Sequence, residues 1–201
     1  MSTNDDLIEA SKRGDAAAVR ALLTRGADAN AKMGNGSTAL MCASYSGDLE
    51  TAQALLAKGA EVNVKNASGW TALMFASSEA RIAVLQALLD KGGDVNVKDE
   101  EGATALMLAS EKGHLEVVQK LLHKAHINAE TRNGSTALIF AAQNGHRGVV
   151  LHLLTAGAEV NAKNKHGLTA WDLVVEGGRV RDDAARAALR NLLMQFGARR
   201  S

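Results

Sequence analysis

The stretch Gly102-Ala103-Thr104-Ala105-Leu106-Met107-Leu108-Ala109, followed by Gly113-His114-Leu115-Glu116-Val117-Val118, decides the reading of this chain. Thr104 carries a hydroxyl that can cap the opening N–H groups of a helix, and Gly113 falls where a helix end takes a left-handed residue. The spacing predicts one short helix from Thr104 through Leu106, Leu108 and Ala109 to Lys112. It predicts a second from about His114 to Lys124, with Leu115, Val117, Val118, Leu121 and Leu122 as its apolar stripe. The polar stretch with Asn and Gly beyond it reads as a hairpin-like turn.

Outward from this stretch the pattern recurs. Thr104-Ala105-Leu106-Met107 is matched by Thr38-Ala39-Leu40-Met41, Thr71-Ala72-Leu73-Met74 and Thr136-Ala137-Leu138-Ile139, and more distantly by Thr169-Ala170-Trp171-Asp172. The threonines are 33, 33, 32 and 33 residues apart. Leucine pairs (Leu55-Leu56, Leu88-Leu89, Leu121-Leu122, Leu153-Leu154) and asparagines (Asn30, Asn63, Asn96, Asn128, Asn161) keep the same register. Three series in step establish an internal repeat. Asp15 and Asp48 occupy the His114 position and can cap their own second helices. Gly26, Gly59, Gly92 and Gly157 follow those helices as cap glycines.

The runs Gly102–Ala109, Gly113–Val118 and Gly157-Ala158-Glu159-Val160-Asn161 resemble the ankyrin repeat, and the resemblance extends from about Asp5 to Ala198. It implies an all-α solenoid of helix–turn–helix units joined by hairpin-like loops. The expected organisation is a single domain over 1–201: an N-terminal cap repeat at 5–32, full repeats at 33–65, 66–98, 99–130 and 131–163, and an extended C-terminal cap at 164–201. Terminal repeats need a polar outer face. Leu7, Ala10, Val19, Leu22 and Leu23 are expected inside at one end, and Ala185, Ala188, Leu189, Leu192, Leu193 and Phe196 at the other.

The chain departs from the family pattern in several places. Alanine stands at the family's proline position in every repeat; proline pre-organises a helix start without being required there. Met41, Met74 and Met107 replace the family's histidine, so its hydrogen bonds within the turn should be absent. Ala80-Arg81 stands where Gly-His or Gly-Asp is expected, which implies strain or another turn form. No glycine precedes Ala125, which accounts for the spacing of 32, and the last unit gains residues around Gly177 to Asp183.

Composition narrows the function. With 23 Lys plus Arg against 22 Asp plus Glu, the net charge is +1, too even to attract nucleic acid or an acidic membrane broadly. The arginines from Arg179 to Arg200 outnumber Asp182 and Asp183, but no aromatics interleave them, and a solvated capping face is the expected reading. One cysteine, Cys42, precludes an intrachain disulfide and fits a reducing compartment, so the cytoplasm is the expected location. The acidic N-terminus lacks the apolar region of a secretory signal, and no apolar run approaches the about 20 residues of a membrane span.

No set of residues assembles acid, base and nucleophile, so an enzyme is not expected. His114 and His146 are expected to be structural at the start of second helices. His123 and His126 straddle a helix end without a further ligand at an obvious spacing, so no metal and no cofactor are expected. Cys42 and Trp171 are expected to pack in the core. Gly34-Asn35-Gly36-Ser37 lacks the Lys-Ser/Thr ending and preceding strand of a phosphate loop.

The resemblance implies a protein-binding scaffold, an adaptor or inhibitor, monomeric on its own, that holds a protein partner on its concave face. The alternative is a self-associating structural scaffold without catalytic activity. In the family that face is built from turn tips and the exposed side of first helices. The resemblance maps it here to the tips Asn35, Ser37, Ser68, Trp70, Glu101 and Asn133, and to the helix positions Lys12, Arg13, Tyr45, Ser46, Ser78, Glu79, Glu111, Lys112, Gln143 and Asn144. Ala103, Ser135, His166 and Leu168 occupy further tip positions. Tyr45 and Trp70 belong to residue types enriched at interface hot spots, although an aromatic before the turn threonine can equally shield its neighbours. Lys12 and Arg13 make one end basic, while Glu79, Glu101 and Glu111 make the middle acidic.

Overall fold

A computed structural model describes residues 2–175, 179–180 and 182–199. Part of the insertion around Gly177, together with Arg181 and Arg200, lies outside the described residues. Among the described residues there are twelve α-helices and no strand beyond one isolated antiparallel bridge between Lys32 and Thr38. The chain forms two compact units, Met1–Glu100 and Glu101–Ser201.

The first unit holds α1 (Thr3–Arg13), α2 (Ala16–Thr24), α3 (Ala39–Ser46), α4 (Leu49–Ala57), α5 (Ala72–Ser78) and α6 (Ile82–Asp90). First helices α1, α3 and α5 pack side by side in one layer, and second helices α2, α4 and α6 form the other. The second unit repeats the plan with α7 (Ala105–Lys112), α8 (Leu115–Leu122), α9 (Ala137–Gln143), α10 (Arg147–Thr155), α11 (Ala170–Val175) and α12 (Asp183–Gln195). There α7, α9 and α11 are the first helices and α8, α10 and α12 the second.

The layers pack closely because alanine recurs at one buried position of the first helices. In the first unit Ala10, Ala43 and Ala76 are no more than 1% exposed, as are Ala109 and Ala141 on α7 and α9 of the second, and Leu7, Leu40 and Leu73, with Leu106 and Leu138 in the second unit, repeat the pattern. Burying a leucine of this kind stabilises by roughly 1.5–3 kcal/mol. Second helices answer with Leu55, Leu88, Leu121 and Leu153, all fully buried. The methionines that replace the family's histidine, Met41, Met74 and Met107, are buried too. The turns are closed by other side chains: Asn66 Oδ1 accepts from the Ser68 and Trp70 amides, and Asn164 Oδ1 from those of His166 and Leu168.

Caps follow the pattern expected from the sequence. Thr38, Thr71, Thr104 and Thr136 each accept from the amide three residues on, and Asp15 and Asp48 cap α2 and α4. The α8 end without a glycine is closed by Lys124 and Ala125 amides that both donate to the Leu121 carbonyl. Several expectations fail at the terminal repeats: Ala185 and Ala188 on α12 are only half-buried. Phe196 is 40% exposed because α12 ends one residue before it, and Leu22 at the other end is only half-buried. Trp171 is half-buried, with the Arg190 guanidinium 5.5 Å over its ring, so it is a covered surface residue and not core.

Candidate functional site

In each unit, hairpin turns stack by backbone hydrogen bonds. The Ala67 amide donates to the Asn35 carbonyl at 2.9 Å and the Glu100 amide to the Ser68 carbonyl at 3.1 Å. In the second unit the Arg132 amide donates to the Glu101 carbonyl at 2.8 Å and the Lys165 amide to the Asn133 carbonyl at 2.9 Å. The stacking is close: a Cβ on Gly69 would lie 2.8 Å from the Asp99 Cα, and its φ of +78° already requires glycine. Four predicted tip residues thus spend their carbonyls on the ladder and can offer only side chains.

Between turns and first helices each unit has a groove. In the first it has a volume of about 430 Å³ and is lined by Lys12, Met33, Asn35, Ser37, Met41, Cys42, Tyr45, Ser46 and Phe75. Tyr45, 55% exposed, meets the Phe75 ring edge-on at 6.3 Å, and the Trp70 ring lies 4.9 Å from that of Phe75. Trp70 is held there by its indole N–H, which donates to Asp99 at 3.1 Å. Arg81 steadies the Tyr45 end: its Nε donates to the Tyr45 carbonyl at 3.0 Å, and its Cδ would meet a Cβ on Gly47 at 2.6 Å. Burial pushes the Cys42 thiol pKa up, with the Lys12 ammonium pulling against that shift.

The groove of the second unit has a volume of about 400 Å³ and is more polar. Glu101, Asn133, Gln143 and His166 stand on its walls, and Ile139, Phe140 and Leu173 on its floor. His146 plays the part of Arg81 here: its Nε2 lies 2.8 Å from the Glu111 carbonyl, and its ring covers Gly113.

The mapped residues divide accordingly. Lys12, Asn35, Ser37, Tyr45 and Ser46 share the first groove, and Glu101, Asn133 and Gln143 the second. Ser78 is 8% exposed, and so is Ser37, whose side chain can contribute only to a groove wall, so neither offers much contact surface. Asn144 is engaged by Arg179 at 3.1 Å and by the Phe140 carbonyl at 2.9 Å. Glu111 lies 4.0 Å from Arg179, which offsets part of the acidity expected there. Glu79 accepts from Ser78, and Arg13, Ser68 and Lys112 are exposed outside either groove.

Phe75 and Cys42 are groove residues that the sequence pattern does not single out. Both stand four residues after the turn threonine, a register that Leu108, Phe140 and Leu173 occupy in the second unit, and all five are half-buried. Cys42, expected in the core, belongs to the groove floor because of that position.

Stacked helical hairpins whose turns and first helices frame shallow grooves define a repeat protein of the binding-scaffold type. A family model for ankyrin repeats (three copies) matches residues 7–99 and 83–164, and the chain belongs to the ankyrin-repeat family, with its all-α solenoid fold. No curated protein matches the chain. Solved structures do. The human ASB11 ankyrin repeat domain has a TM-score of 0.83 at 28% identity, covering 96% of this chain and 84% of that one. An ankyrin repeat domain from Acinetobacter baumannii AYE has a TM-score of 0.84 at 29% identity, covering 96% and 98%. A chain in the structure of the Bd0816 predatory endopeptidase from Bdellovibrio bacteriovorus in complex with immunity protein Bd3460 has a TM-score of 0.82 at 32% identity, covering 94% and 97%. Ankyrin repeats generally serve as non-catalytic scaffolds for protein–protein interaction. No helix among the described residues is long and apolar enough to cross a membrane.

Proposed function

We propose that the protein is a binding scaffold, an adaptor or inhibitor, that holds a protein partner on the concave face of its repeats, with the first-unit groove as its anchor point. The observation that carries this reading is the aromatic cluster at that groove. The chain has six aromatic residues (three Phe, two Trp, one Tyr), and Tyr45, Phe75 and Trp70 gather there with the Tyr45 ring in solvent. An exposed tyrosine at an apolar hollow, backed by two half-buried rings, is the arrangement of an interface anchor. The similar structure that contains an immunity protein in complex supports an inhibitor over a purely architectural role. The lone cysteine supports a reducing compartment such as the cytoplasm, and monomeric behaviour completes the reading.

The test is affinity capture from native lysate followed by mass spectrometry, with wild type beside Tyr45→Ala and Tyr45→Ala/Trp70→Ala. Truncating a hot spot costs ~2 kcal/mol or more, so retention of the partner should fall roughly 30-fold. The single variant leaves the Trp70–Asp99 bond intact, and circular dichroism checks that both variants fold. Equal capture by folded wild type and variants would move the site elsewhere.

A further inference from the structure

The first-unit groove also indicates what kind of segment it takes. Its floor is soft and apolar: Met33, Met41, Cys42 and Phe75. Thioether and thiol side chains adapt to the shape of an inserted group. Among the described residues that line the groove, Lys12 alone carries a full charge, and Arg13 is exposed beside it. Glu9 accepts from Lys12 at 3.1 Å, but both side chains are well exposed, at 40% and 47%, and such pairs exchange readily for another carboxylate. The Lys12 ammonium is close enough to act on the Cys42 thiol on the groove floor, where burial dominates and Glu9 opposes it.

We infer that this groove takes a protein segment presenting a large aliphatic or aromatic side chain beside a carboxylate, the side chain against Phe75 and Met33 and the carboxylate on Lys12. The inference rests on the partner-binding reading and narrows it. A basic neighbour would set like charges together at Lys12, and an apolar segment without an acid would gain nothing from that ammonium, which would keep only its exposed pair with Glu9. The volume of about 430 Å³ suits a side chain with its flanking backbone better than a whole helix.

Cys42 makes the test direct, because it is the chain's only cysteine and lines the groove. The full-length protein is equilibrated with three disulfide-linked fragments under a fixed thiol buffer: a phenyl group with a carboxylate, the same body with an ammonium, and a carboxylate without the ring. Occupancy of Cys42 is read by intact mass. The phenyl carboxylate should exceed the ammonium fragment by about three-fold, the scale of one exposed charge pair, and should exceed the ringless carboxylate through apolar burial of the phenyl group. Lys12→Glu should reverse the acid-to-amine order, and Lys12→Gln should abolish it. Ratios taken within one variant cancel any change in thiol reactivity. Equal occupancy of acid and amine, or an order unchanged in Lys12→Glu, overturns the inference. So does a dimer in light scattering that Tyr45→Ala dissociates, which would give the groove to a second copy. Capture of a partner that Tyr45→Ala abolishes, with no acid preference at Cys42, overturns this inference alone. Loss of no partner in Tyr45→Ala overturns the underlying reading.

Discussion

Ala80 has a φ of +52°, the one positive value among the described non-glycine residues, at the corner where Gly14, Gly47, Gly113 and Gly145 serve the other repeats. A side chain in that region costs roughly 1–2 kcal/mol. The corner keeps its form because the Arg81 amide donates to the Ala76 carbonyl at 2.8 Å and the Arg81 side chain is tied to Tyr45. Ala80→Gly removes the clash but loosens the unfolded chain by ~0.4–1 kcal/mol. A net gain of roughly 0.5–1 kcal/mol follows, read as a rise of about 2–4 °C per kcal/mol in a thermal melt. A fall would mean that the alanine methyl has packing worth more than the strain. This corner is legible in the sequence because a glycine is missing from a repeating column. Tyr45 is legible for the same kind of reason, as the one tyrosine at a helix position the family exposes. Phe75 and Cys42 are not: their register, four residues after the turn threonine, is local, but its half-buried depth is set by packing against neighbouring helices. The indole bond from Trp70 to Asp99 spans 29 residues, and no periodicity signals it.

At the scale of elements, four first helices (α3, α5, α7 and α9) are capped alike and second helices are not. Thr38, Thr71, Thr104 and Thr136 cap by long 3.4 Å bonds. Asp48 is better placed: it accepts from the Thr51 amide at 3.2 Å and from its hydroxyl at 2.6 Å. At α6, α8 and α10 the cap residues Arg81, His114 and His146 make no side-chain cap bond. Arg81 and His146 instead reach back to carbonyls on the first helix of the previous repeat, Tyr45 on α3 and Glu111 on α7. One position is therefore used in two ways, to start its own helix or to fasten the repeat before it. Asp48→Ala should cost about 1 kcal/mol, within the 0.5–2 kcal/mol usual for a lost cap, measured by urea unfolding. No loss would show that Asp48 acts mainly by covering Gly14, where a Cβ would lie 3.0 Å from its carboxylate. The alternation of short helices, turns and caps is readable in the amino-acid order because each is a local signal. The end of α12 and the depth of Trp171 are not, since Arg190 covers that ring from an adjacent helix.

For the molecule as a whole, the asparagine series is what makes neighbouring repeats depend on each other. Asn30 donates to the Gly59 carbonyl at 3.1 Å and accepts from the Glu61 amide at 2.7 Å. Asn63 does the same with Gly92 and Asp94, at 3.1 and 2.8 Å. In the second unit Asn128 spans to Gly157 and Glu159, and Asn161 to Gly197 and Arg199. Each side chain satisfies a carbonyl at the end of the next second helix and the amide two residues later. Stability in such a stack is the sum of weak repeats and the interfaces between them, so these bonds belong to the interface part. Asn63→Ala removes two of them at once, at ~0.5–1.5 kcal/mol each, with exposure favouring the low end. The expected loss is roughly 1–2 kcal/mol, and because an interface is weakened, the urea transition should also broaden. Thr24→Ala is the control: it removes a bond of 2.8 Å to the Arg20 carbonyl within one helix and should shift the midpoint by less than about 0.5 kcal/mol without broadening. If Asn63→Ala moved the midpoint and left the slope unchanged, the asparagines would be stabilising their own turns only, and the coupling would have to lie in the buried alanine and leucine columns.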